Sequence, residues 1–91
     1  MFAYIITAES GEYSSWTKWN VGVFLDKKAC DEYLKKLEKF LIDNDIPNVC
    51  YLHAIKPSSC FIDSTLEKNW TSYGVEYKVE KMKVMGCEDN E

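Results

Sequence analysis

The sequence predicts an α+β domain, in which a small, mainly antiparallel sheet has one long helix packed on one face. β-branched and aromatic residues are concentrated near both ends of the chain, as in strands. Between them lies a segment whose apolar residues recur at intervals of three and four, as on one face of a helix. The 91 residues suffice for one hydrophobic core, so we expect a single domain over residues 1–91.

The first two strands are predicted to form a hairpin. Residues 2–8 are apolar and contain no Gly or Pro, which favours a strand. Gly11 lies in the short connection, where it supplies the turn. The second strand is expected over residues 16–25, and its alternate apolar residues are predicted to share one face: Trp19, Val21, Val23 and Leu25.

The third element is a helix predicted over residues 27–43. Asp26 is a good N-cap, and Pro47 lies just beyond the predicted end. Apolar residues at helical spacing form a stripe that we expect to pack on the sheet: Cys30, Tyr33, Leu34, Leu37, Phe40 and Leu41.

Residues 46–71 are predicted to be an irregular insertion. Within it, residues 48–55 have the composition of a short strand, and residues 64–68 form either a single helical turn or a loop. The expected element order is therefore ββαβ, or ββαββ if residues 48–55 pair with the sheet.

The last strand is predicted from Tyr73 to about Met85. Its alternating apolar residues change phase before Met82, which predicts a bulge or a bend near residues 80–81. The acidic tail, residues 87–91, is expected to fray.

Charge and composition exclude two classes of partner. The formal net charge is −4, and all eleven basic residues are lysine, so the chain lacks the arginine that usually reads nucleic-acid bases. No apolar run approaches the roughly 20 residues that span a bilayer. The N-terminal segment does not resemble a secretory signal, since it lacks a positively charged start. We therefore expect a protein of the cytoplasm that binds neither nucleic acid nor membrane directly.

The sequence predicts no metal, no cofactor and no enzymatic activity. Its four cysteines contain no C-x-x-C pair, so they are expected to be free thiols. A zinc site usually needs two closely spaced ligand pairs, which this set does not supply: Cys50, His53, Cys60 and Cys87. His53 is the lone histidine, and on a strand it would point away from Cys50, three residues earlier.

Aromatic residues are the most informative candidates for a binding surface. One helix covers only one face of a sheet, so the remaining rings form a second small core, a partner surface or a homodimer face. Tryptophan and tyrosine dominate the energetics of protein interfaces, and nearby acids would favour a basic partner. The candidate partner-binding residues bracket the first hairpin and the entry to the last strand: Glu12, Tyr13, Trp16, Trp19, Trp70 and Tyr73.

Three stretches resemble a group of small proteins from phages and other mobile elements: "SGEYSSW", "VGVFLDKKACDEYLKKL" and "YGVEYKVEKMKV". The resemblance covers residues 2–42 and 73–85, and residues 46–71 depart from it. No catalytic residue is known for the group, so none is transferred. The matching positions are Ser10, Gly11, Glu12, Tyr13, Ser14, Val23, Phe24, Lys28, Ala29, Tyr77 and Val79.

This resemblance implies an accessory protein of a phage or mobile element. Small acidic domains of that origin often bind and inhibit a host factor, and anti-CRISPR proteins are one such class of anti-defence inhibitor. The alternative hypothesis is a small-molecule or nucleotide-signal binding protein that acts as a sponge, with lysines at a dimer interface holding the phosphates. A third hypothesis is a small enzyme that uses His53 with a cysteine thiol.

Overall fold

The computed structural model describes residues 1–85 and has the predicted α+β architecture; the tail at residues 87–91 lies outside the described residues. Within the described part, a three-stranded antiparallel sheet has the order β2-β1-β3, with one main helix packed against it. No helix in this part of the chain is long and apolar enough to cross a membrane. The elements are β1 (Phe2–Ser10), β2 (Thr17–Phe24), α1 (Lys27–Asp43), α2 (Ser64–Lys68) and β3 (Val75–Lys83).

The core lies between α1 and one face of the sheet, and β1 is the central strand. Ile6 and Ala8 of β1 are fully buried, and Ala8 lies opposite Tyr77 of β3. Because side chains alternate along a strand, the neighbouring odd-numbered residues of β1 lie on the other face, which we call the open face. The buried core consists of Ile6, Ala8, Cys30, Leu37, Phe40, Leu41, Ile46, Leu66, Val75 and Tyr77.

Helix α1 has the bounds that the sequence predicts. The Asp26 side chain accepts a hydrogen bond from the Lys28 backbone N–H at 3.0 Å, which caps the first turn. At the other end, the Asn44 side chain donates to the Phe40 carbonyl at 2.8 Å. The buried residues of the helix belong to the predicted stripe: Cys30, Leu37, Phe40 and Leu41.

A bulge in β2 overturns the prediction that Trp19, Val21, Val23 and Leu25 share one face. Ile6 lies opposite Gly22, but Thr7 lies opposite Asn20, so Val21 is an extra residue on β2. The extra residue reverses the alternation of the strand. Consequently Trp19 and Val21 pack against the core, whereas Val23 is 64% exposed and Phe24 takes the core side.

Strand β3 is regular, so the bulge predicted near residues 80–81 is wrong. Its pairing with β1 runs without interruption from Phe2–Lys83 to Ser10–Val75. Met82 lies on the open face, because it pairs with Ala3, and it is exposed there. The change of phase in the sequence therefore reflects an apolar residue, Met82, on the open face. The backbone of β3 is not distorted there.

Of the two alternatives for residues 64–68, the structure has the helical turn, α2, and residues 48–55 form no strand. A single antiparallel bridge joins His53 to Tyr73, and Gly74 N–H donates to the Leu52 carbonyl at 2.7 Å. A Cβ at Gly74 would collide with the carbonyl oxygens of Pro47 and Val49, so the insertion packs backbone against backbone at this point.

Asp63 joins the insertion to the sheet. Its side chain is only 5% exposed and caps α2 by accepting from the backbone N–H of Thr65 at 3.1 Å. The same carboxylate accepts from Trp19 Nε1 at 2.9 Å and from the Tyr77 hydroxyl at 3.1 Å. Burial raises the pKa of the Tyr77 hydroxyl and the adjacent carboxylate raises it further, so Tyr77 stays a donor at neutral pH.

We expect Asp63→Ala to lower the free energy of unfolding by about 3 kcal/mol, because it removes the cap of α2 and leaves the buried donors of Trp19 and Tyr77 unpaired. Urea unfolding followed by tryptophan fluorescence measures this loss. Asp63→Asn keeps one carbonyl oxygen and is the matched control with a smaller expected loss. Equal stability of Asp63→Ala and the wild type would contradict this role.

Candidate partner-binding surface

The connection between β1 and β2 is a tight loop, residues 11–16. Tyr13–Ser15 form one turn of 3₁₀ helix, in which Ser15 N–H donates to the Glu12 carbonyl at 3.0 Å. The Ser15 hydroxyl donates to the same carbonyl at 2.7 Å, and the Glu12 N–H donates to Ser15 Oγ at 3.1 Å. Gly11 has a φ of 102°, and a Cβ there would collide with the Ser15 carbonyl. The loop is therefore closed by its own hydrogen bonds and holds one geometry.

Tyr13 occupies the tip of this loop in an unfavourable backbone conformation. Its φ is 53°, in the left-handed region that bulky residues rarely adopt, and its side chain is 89% exposed. None of the ring–ring contacts in residues 1–85 involves Tyr13. Trp16, at the end of the loop, is 48% exposed. Two large aromatic rings thus face solvent within one short, closed turn.

The structure packs two of the candidate tryptophans against the core. Trp19 is half-buried and donates its indole N–H to Asp63. Trp70 is half-buried and meets the ring of Phe61 edge-on, with 6.1 Å between ring centroids. Both rings therefore supply packing area to the fold, and neither lies beside Tyr13 in the hairpin loop.

Tyr73, the remaining aromatic candidate, lies between the insertion and the start of β3 at Val75. Its ring stacks on His53 with 4.8 Å between centroids. His53 also lines an open groove of about 490 Å³, together with Asn44–Asp45 and Ala54–Pro57. The predicted opposition of Cys50 and His53 on a strand does not apply, since residues 48–55 form no strand.

Cys50 adjoins the aromatic loop instead. Its carbonyl accepts a hydrogen bond from Gly11 N–H at 2.9 Å, and its N–H donates to Glu76 Oε1 at 3.1 Å. Burial raises the pKa of the Cys50 thiol, and the Glu76 carboxylate raises it further. A thiol with a raised pKa is a poor nucleophile at neutral pH.

Charged residues cover the open face next to this loop. Lys78 Nζ lies 3.1 Å from Glu9 and 3.9 Å from Glu76, and its pKa is raised first by the hydrogen bond to Glu9. Lys18 Nζ lies 3.7 Å from Glu80. Exposed ion pairs of this kind contribute little to stability, so they shape the surface potential more than they stabilise the fold.

The described residues contain no group of three or more His, Cys, Asp or Glu side chains arranged to hold a metal ion. Cys30 is buried in the core and Cys60 is exposed. Cys87, the fourth cysteine of the candidate metal set, lies outside the described residues.

Two features of the site were not identified from the sequence. The series Asp63-Ser64-Thr65-Leu66-Glu67 has the pattern of an N-cap followed by a helical turn, which could have indicated the buried carboxylate. No local sequence pattern predicts that Tyr51 lies near the loop. Tyr51 is 59% exposed and follows Cys50 directly, but the hydrogen bond from Gly11 to Cys50 joins segments that are far apart in sequence.

Comparisons with known proteins found no matching family model, no matching curated protein and no matching solved structure. No activity is therefore transferred to this chain from a matched protein.

We expect Tyr13→Gly to be more stable than Tyr13→Ala by about 1 kcal/mol, because glycine adopts a positive φ without the clash of a Cβ. Urea unfolding of the two variants measures the difference. At an ordinary backbone position glycine would be the less stable of the two. A more stable alanine variant would therefore show that the loop does not hold Tyr13 in this geometry in solution.

We expect Glu76→Gln to accelerate alkylation of Cys50 by iodoacetamide about two- to threefold at pH 8. Removing the negative charge lowers the pKa of the thiol and raises the thiolate fraction, while the glutamine oxygen still accepts from Cys50 N–H. Burial, the larger cause of the raised pKa, is unchanged, so the effect is partial. Mass spectrometry of the peptides gives the rate at each cysteine, with exposed Cys60 as the internal control.

Proposed function

We propose that this protein is a non-catalytic accessory protein that binds another protein through the loop Glu12–Trp16 and inhibits it. The observation that carries the proposal is Tyr13, an almost fully exposed aromatic residue held at a positive φ by a hydrogen-bonded turn. Backbone strain of this kind concentrates at functional sites, where the surrounding structure maintains it.

The energetics of the loop support a binding role. A non-glycine residue in the left-handed region costs about 1–2 kcal/mol. The ring of Tyr13 recovers little of this cost by packing, since it is 89% exposed. Glycine or asparagine would satisfy the same turn at lower cost. A tyrosine at this position is therefore best explained by contacts that its ring makes with the partner protein in a complex.

Trp16 gives the loop a second ring of the kind found at the centres of protein interfaces. Tryptophan and tyrosine bury large areas with little loss of side-chain freedom, which makes them frequent hot spots. The loop is also closed by its own hydrogen bonds, so binding requires little ordering of its backbone. These properties favour recognition of a protein surface by a preformed turn.

The resemblance to proteins of phages and other mobile elements favours a host factor as the partner. On this proposal the protein acts in the host cytoplasm as an anti-defence inhibitor, as anti-CRISPR proteins do. Inhibition by an accessory protein of this type needs only occupation of a functional surface on the target.

We expect the double variant Tyr13→Asn with Trp16→Ala to bind its partner at least about 30-fold more weakly than the wild type, because two hot-spot rings are removed. Asparagine tolerates a positive φ, so the loop keeps its conformation. Affinity capture from host lysate identifies the partner, and titration calorimetry with the purified partner gives the two dissociation constants. The partner's own activity, assayed with and without the protein, tests inhibition.

Ile55→Ser is the matched control, because Ile55 is as exposed as Tyr13 but lies in the insertion. This control should bind and inhibit like the wild type. Equal affinity of the double variant and the wild type would refute the loop as the binding site. A captured partner whose activity is unchanged would refute inhibition.

A further inference from the structure

We infer that the binding surface extends from the loop to Tyr51 and Leu52, and that it accepts a lysine- and arginine-bearing segment of the partner protein. This inference rests on the proposed function, which itself specifies only the loop and not the chemistry of the partner. We call residues 12–16 together with Tyr51 and Leu52 the aromatic surface.

Gly11 joins the two parts of the aromatic surface. Its N–H donates to the Cys50 carbonyl at 2.9 Å, and its backbone lies against Trp16, because a Cβ on Gly11 would be 2.9 Å from Trp16 Cα. Tyr51, which is 59% exposed, follows Cys50 directly, and Leu52 is also exposed. Exposed aromatic residues therefore lie next to both partners of this hydrogen bond: Trp16 beside Gly11, and Tyr51 beside Cys50.

The turn that carries Tyr51 is fixed as firmly as the loop. Leu52 N–H donates to the Val49 carbonyl at 3.3 Å, which closes the turn, and Gly74 N–H donates to the Leu52 carbonyl. Cys50 N–H is bonded to the Glu76 side chain on β3. Both halves of the aromatic surface are thus anchored to the sheet before any partner binds, which lowers the entropy cost of binding.

The charges beside the aromatic surface select a basic partner. Glu12 lies within the loop, and among residues 1–85 the strands of the adjoining open face carry Glu9, Glu76 and Glu80 against Lys18 and Lys78. Four glutamates and two lysines leave a net charge of −2. An acidic segment would be repelled there, whereas lysine and arginine gain both charge complementarity and cation–π contacts with exposed rings.

The test is a nuclear magnetic resonance titration of the ¹⁵N-labelled protein with a short lysine- and arginine-rich peptide as the probe. A peptide of the same length with the basic residues replaced by glutamine is the comparison. We expect the basic peptide to shift the resonances of residues 11–16, 50–52 and 76–78, including the Trp16 indole, and to bind more weakly as salt is raised.

Single variants locate the surface. Tyr51→Ser and Glu12→Gln should each weaken binding of the basic peptide about two- to fivefold, as expected for an exposed ring or charge. The matched controls Ile55→Ser and Glu32→Gln remove a similar residue elsewhere on the surface and should leave the affinity unchanged.

Three results would overturn the inference: equal binding of the basic and glutamine peptides, shifts confined to another part of the chain, or concentration-dependent shifts without peptide that show a second copy on this surface. The proposed function has its own, separate readout. If a captured host protein depends on Tyr13 and Trp16 but not on Tyr51 or Glu12, the proposed function stands and the present inference fails.

Discussion

The buried carboxylate of Asp63 is the interaction on which the rest of the structure depends. A carboxylate removed from water is tolerated only when its oxygens are hydrogen-bonded, and here uncharged donors from β2, β3 and α2 converge on it. It therefore fixes the position of the insertion relative to the sheet. It also commits Trp19 to the interior, since the indole N–H and the carboxylate would each lose a partner if the ring turned outward. The burial of Trp19 follows from this contact, whereas Trp70 packs against Phe61.

With Trp19 and Trp70 packed against the core, the three most exposed aromatic residues of residues 1–85 lie on two short turns: Tyr13 and Trp16 between β1 and β2, and Tyr51 after Val49. Each turn is closed by backbone hydrogen bonds, and a hydrogen bond from Gly11 to Cys50 joins them. The two turns therefore lie together at one end of the sheet, which acts as a rigid platform for them. Recognition through preformed turns on a rigid platform is common where function is carried by loops.

The features that the sequence predicted correctly are those determined by nearby residues. Helix α1 was predicted with its bounds because the cap at Asp26 and the apolar stripe lie within the segment itself. The extra residue at Val21 was missed because it is defined only by the pairing of β2 with β1. The same limit applies to the candidate residues. Tyr13 and Trp16 are exposed in the structure, and their role in binding stays a prediction, whereas the packing of Trp19 depends on a carboxylate 44 residues further along the chain.

The bulge at Val21 also affects how copies of the protein meet one another. Strand β2 lies at the edge of the sheet in residues 1–85, and Lys18 is its single charged residue. An edge strand with so few charges can pair with a strand of another molecule. An extra residue in the middle of that edge twists the strand and interrupts the row of outward-facing amide and carbonyl groups. A strand added from a neighbouring molecule cannot keep its spacing on both sides of the interruption. The same irregularity that rearranged the side chains of β2 thus disfavours the addition of a further strand along this edge.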